Sequence, residues 1–213
     1  MIQKLALVAI CAALCISCGE KADQPRKSAE AARRPAQSGE GAADMAAEGE
    51  RIYMQRVAAG DTIAMPYGEL QAFLPDSIEG YRREGPPSGT QQTMPDYAIS
   101  SVTQRWVGQT DEEARITVQI ADWGGTRNGY GMASLGLVAI DMEDEKQKVA
   151  SLTFDVPMTS GVMIFSKQDK SGSVTAGTRY RYMIVASSAG AKEDPTAALT
   201  ELVTGIARKF EGK

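Results

Sequence analysis

A mixed α+β domain is predicted, with an antiparallel sheet of about five or six strands packed by amphipathic helices. Three observations carry this expectation. Apolar residues alternate with period two over Tyr97–Val107 and again over Ile116–Ile120, with a short polar connection between them. Further alternating runs follow after residue 147. The chain then closes on Leu199, Leu202, Val203, Ile206 and Phe210, a helical spacing that places one apolar stripe on a single face.

Lys4 precedes an apolar stretch from Leu5 to Ile16, and Ser17 precedes Cys18. One basic residue, a short apolar run and a small residue form the layout of a secretory signal. The run falls short of the roughly 20 residues that a spanning helix needs. Residues 1–17 are therefore expected to be a signal. Gly19 to about Glu50 is rich in Ala, Gln, Ser, Gly, Lys and Glu, so residues 18–50 are expected to form a flexible tether. Its basic residues Arg26, Lys27, Arg33 and Arg34 suit either contact with anionic lipid or plain solvation. A short helix over Met45–Val57 is compatible with the pattern, although Gly49 weakens it.

A single globular domain is assigned to residues 51–213. Thr62–Met65 alternates like a strand, and Pro66 is placed to open a helix over Tyr67–Leu74. Asp76–Pro95 is rich in Gly and Pro, which predicts an irregular surface stretch. Tyr97–Val107 and Ile116–Ile120 predict a hairpin across Asp111-Glu112-Glu113, and Asp122-Trp123-Gly124-Gly125 ends it. A helix is expected from about Tyr130 to Asp144. Strands are expected over Lys148–Val156, Gly161–Lys167 and Thr175–Ser187, the last two joined by the turn Asp169-Lys170-Ser171-Gly172. Asp194-Pro195 opens the closing helix.

Composition excludes several chemistries. Histidine is absent, which removes Ser-His-Asp and Cys-His catalysis and histidine-ligated zinc. All three cysteines lie within the first 18 residues, so the domain has no thiol for a disulfide, a soft metal or haem. No cofactor is expected. The net charge of −4 gives no electrostatic case for nucleic acid.

Two segments carry what chemistry remains. Asp122, Trp123 and Arg127, with the glycines between them, could hold an anionic or sugar-like ligand; the reading preferred for the same residues is a strand-ending turn in which Trp123 covers the core. Asp141, Glu143, Asp144 and Glu145 form an acidic cluster without the spacing of a calcium loop, which reads as a solvated helix end. Arg179, Tyr180, Arg181 and Tyr182 are expected to alternate along a strand, arginines on one face and tyrosines on the other.

Cys15-Ile16-Ser17-Cys18 resembles the lipobox of bacterial lipoproteins, with Cys15 where that family usually has leucine. The resemblance implies cleavage before Cys18 and its acylation. Gly19, rather than aspartate, implies delivery to an outer membrane, facing the periplasm. Leu74-Pro75, Gly80-Tyr81, the central helix and the helix after Tyr182-Met183-Ile184-Val185 resemble the PsbP-like fold of small exported lipoproteins. Together these imply a membrane-anchored envelope lipoprotein with a non-enzymatic binding or scaffolding domain. Its expected partners are the membrane, through Cys18, and an envelope protein or small ligand. The alternatives are a carboxylate-dependent envelope hydrolase and a carrier of lipid or another small ligand.

Overall fold

A computed structural model describes residues 38–94, 97–124 and 141–212. They form a large antiparallel sheet with helices, so the α+β class holds. The sheet is larger than expected, with nine strands rather than five or six. In chain order the elements are α1 (Ser38–Ala58), α2 (Tyr67–Leu70) with a 3-10 turn over Gln71–Phe73, β1 (Tyr81–Arg83), β2 (Ser88–Met94), β3 (Tyr97–Gly108), β4 (Arg115–Asp122), β5 (Met142–Glu143), β6 (Gln147–Thr153), β7 (Thr159–Ser166), β8 (Ser171–Thr178), β9 (Tyr182–Ala189) and α3 (Thr196–Arg208). The sheet runs β1-β3-β4-β9-β8-β7-β6-β5, with β2 also pairing β3.

The β3–β4 hairpin has the expected faces. Trp106 pairs with Ile116 and Val102 with Ile120, and these side chains are buried, as is Val118. Opposite residues such as Arg105 and Gln119 are exposed, which is the alternation a half-buried sheet requires. The helix α3 lays Leu199, Val203 and Ile206 on the same side, against Val174, Ala176, Ile184 and Ala186 of the central strands. Asp194 Oδ1 accepts from the Thr196 backbone N–H and hydroxyl at 2.9 and 2.6 Å, which fixes the helix start. At its far end Phe210 is sandwiched between Phe73 and Tyr182, with ring centroids 4.1 and 4.2 Å apart.

Four expectations need correction. The first concerns Asp76–Pro95, which contains β1 and β2. Both pair along one edge of β3, and the exposed, polar β2 shows no apolar alternation. Second, Thr62–Met65 belongs to no ladder and bends at Ile63. Its backbone partners are side chains instead: Met65 N–H donates to Asp122 Oδ2 at 2.7 Å, and the Ser100 hydroxyl donates to Met65 O.

Third, Thr175–Ser187 is two strands, broken by a turn over Arg179–Arg181. Thr178 pairs with Tyr182, so the four-residue offset keeps even-numbered residues facing α3 on both strands. The period therefore continues unbroken through a reversal of direction. Arg179 and Tyr180 consequently sit in the turn rather than on alternate sheet faces, both with φ in the left-handed region at 55° and 51°.

The fourth is the helix expected to reach Asp144. Residues 125–140 lie outside the described residues, but Met142–Glu143 is a strand paired with β6. Asp144 Oδ1 accepts from the Lys146 and Gln147 backbone N–H groups, both at 2.7 Å, and this local turn stops any helix there. The acidic cluster thus shapes a hairpin. In addition, α1 begins at Ser38, inside the stretch read as flexible tether to Glu50.

Candidate functional site

Of the residues singled out from the sequence, Cys18 and Arg127 lie outside the described residues. Asp122 ends β4 and is fully buried. Its Oδ1 accepts from Gly124 N–H at 2.7 Å and Arg181 Nε at 2.9 Å; its Oδ2 accepts from Met65 N–H at 2.7 Å and Arg181 Nη2 at 2.8 Å. Four donors saturate the carboxylate. Charge-assisted bonds of this kind are about twice as strong as neutral ones. Asp122 therefore clamps three segments together and is not offered to a ligand. Trp123 is half-buried, and its backbone N–H donates to Arg181 O at 2.9 Å, closing the strand end onto the β8–β9 turn.

Sequence reasoning missed the partners of Asp122. Arg181 also donates through Nη1 to Asp61 Oδ2 at 2.7 Å, and Arg56 Nε reaches the same oxygen at 3.0 Å. Arg56 Nη2 donates to Gly124 O as well. Gly124 is needed here because a Cβ would lie 2.7 Å from Arg181 Nε and 2.8 Å from Arg56 Nη2. Burial works against charge on Asp61, but its bond from Arg56 and the charge of Arg181 hold its carboxyl below the ordinary range. Burial also opposes charge on Arg181, and Asp122 outweighs it and raises the guanidinium further. No local motif announces such a network, because Arg181 lies 59 residues from Asp122 and 120 from Asp61.

The larger concavity lies elsewhere. A groove of about 900 Å³ runs beside α3, between the helix, the loop after Leu74 and the β3–β4 turn. Its walls are mostly apolar and include Ile78, Tyr81, Ile116, Leu199, Leu202 and Ile206. Ser188 lines it too; this side chain is buried, and its hydroxyl has no hydrogen-bond partner among the described residues. Five carboxylates (Glu79, Asp111, Glu193, Asp194 and Glu201) but only two lysines line the groove. Asp111 is spent on Glu113 N–H and Lys192, and Asp194 on the start of α3. The groove could be found from sequence only as the unfilled side of an amphipathic helix.

Among the described residues, no group of three or more Asp, Glu, His or Cys is placed to hold a metal ion. No helix among them is long and apolar enough to cross a membrane. No family model matches the chain, and no curated protein matches it. Among solved structures, it is similar to the extracellular domain of PknH from Mycobacterium tuberculosis, at 11% identity and a TM-score of 0.42, over 71% of this chain and 100% of that one. So distant a likeness leaves the function to be argued from this chain's own residues.

Proposed function

We propose that this chain is a lipid-anchored envelope protein whose α+β domain binds, without chemical conversion, the chain of a neutral or zwitterionic amphiphile. The groove beside α3 carries the reading. Its volume of about 900 Å³ is that of a ligand site, and its walls are apolar. The orphaned Ser188 hydroxyl supports a ligand with at least one polar atom, since leaving such a group unsatisfied costs about 1–3 kcal/mol. The acidic rim disfavours a fatty-acid carboxylate and favours a head without net negative charge.

The test is a titration of monoacylglycerols of increasing length against a chain beginning at Gln37, where the compact unit starts. Each buried methylene contributes about 0.8 kcal/mol, so two added carbons should tighten binding roughly tenfold until the groove is full. Leu202→Lys should abolish the series, and the matching fatty acids should bind more weakly. Affinity independent of chain length would defeat the reading.

The anchor belongs to the same proposal and is supported by the Ser17-Cys18 sequence. Metabolic labelling with a fatty-acid probe should mark the wild type and not Cys18→Ala. Equal labelling of both would remove lipidation from the account.

A further inference from the structure

A second pocket, of about 280 Å³, lies beside the Arg181 network, and Arg51, Arg56, Arg179 and Arg181 line it together with a single carboxylate, Asp61. Asp61 and Asp122 account for Arg56 and Arg181. Arg51 pairs with Glu48 across one turn of α1, an exposed contact that solvent screening keeps weak. Arg179 is different. Its side chain is half-buried, and among the described residues no carboxylate lies within ion-pair distance of it. A partly desolvated charge without a counter-ion is costly unless a ligand supplies one.

The backbone around it is constrained as well. Arg179 and Met158 both line the pocket and both take left-handed φ, 55° and 54°, a region that non-glycine residues disfavour. Arg179 N–H donates to Met158 O at 2.9 Å, which ties the two strained positions together. Strain that holds a charged side chain at a cavity wall is a mark of a functional site. Arg56 lines the pocket as well, with Nε and Nη2 engaged by Asp61 and Gly124.

We propose that this pocket is an anion site that takes a phosphomonoester group, either as free phosphate or on a lipid head. Guanidiniums from α1 and from the β8–β9 turn would reach the oxygens of a tetrahedral anion from two elements. A planar carboxylate would occupy one fork only. The ligand would pair with Arg179 and draw Arg51 from its weak contact with Glu48. Arg56 and Arg181 would stay committed to the network and set the positive potential behind it.

The test uses the full chain in neutral detergent, with inorganic phosphate followed by thermal shift and calorimetry. Saturable stabilisation is expected, with Arg179→Asn weakening phosphate about tenfold or more, the loss expected for a charge-assisted contact. Asparagine suits the left-handed φ, so the variant's melting temperature without phosphate should match or exceed that of the wild type. Should that variant not fold, Arg51→Gln keeps the question open to measurement, with a several-fold loss expected. Dihexanoyl phosphatidic acid and dihexanoyl phosphatidylcholine serve as competitors. Displacement by the first alone assigns a lipid head, and displacement by neither assigns the free ion. Equal responses of wild type and variant, or equal stabilisation by chloride at matched ionic strength, would overturn the site.

Discussion

Asp122 shows what one buried carboxylate does when every lone pair is used. Removing one partner of such a pair leaves an uncompensated charge and costs about 3–5 kcal/mol. Arg181→Met is therefore expected to lower unfolding free energy by that amount in urea titrations. Asp122→Asn combined with Arg181→Met should cost clearly less than the sum of the two single changes, which a double-mutant cycle would measure. Gly124→Ala pushes a methyl group against both guanidiniums, and a loss of about 1–3 kcal/mol is expected.

Tyr182 gives the residue scale a pH signature. Burial pushes its hydroxyl up to about 12, with Arg181 opposing and Asp122 adding to the shift. The raised value means that the neutral ring stabilises the fold fully below about pH 10, the value in the unfolded chain. That contribution is lost as pH climbs toward about 12. Tyr182→Phe should remove this part of the alkaline destabilisation, on the order of 2 kcal/mol, in denaturation curves compared at pH 9 and 11.5. Asp61 acts at the other end: its lowered carboxyl contributes above its unfolded value, and the contribution fades as pH falls through the folded one.

At the scale of elements, legibility followed the range of the interaction that made each element. The β3–β4 hairpin and α3 were readable because burial imposes a period directly on neighbouring residues. The β8–β9 reversal was hidden by its own register, since Thr178 and Tyr182 pair without changing the parity of the inward positions. The strand β2 was hidden because its pairing rests on backbone bonds, while its side chains face solvent. The network around Asp122 was hidden because its partners Arg181 and Met65 come from distant segments. Phe210 tests the packing of α3 against its surroundings: Phe210→Ala breaks two stacked pairs and should cost about 3–5 kcal/mol, with melting as the readout.

For the domain as a whole, sheet and helix leave the groove where α3 stops short of covering the ends of β4 and β9. A nine-stranded sheet is broader than the 13-residue helix laid on it, and the loop after Leu74 walls the remaining side. The groove and the arginine pocket draw on separate lining residues, so their ligands can be tested apart. The most direct test of the binding function is where an amphiphile lies. Photo-cross-linking with a diazirine-bearing monoacylglycerol, followed by peptide mapping, should mark the segments 75–81 and 196–209, with loss of the label in Leu202→Lys. Labelling spread evenly over the domain, or unchanged in that variant, would contradict it.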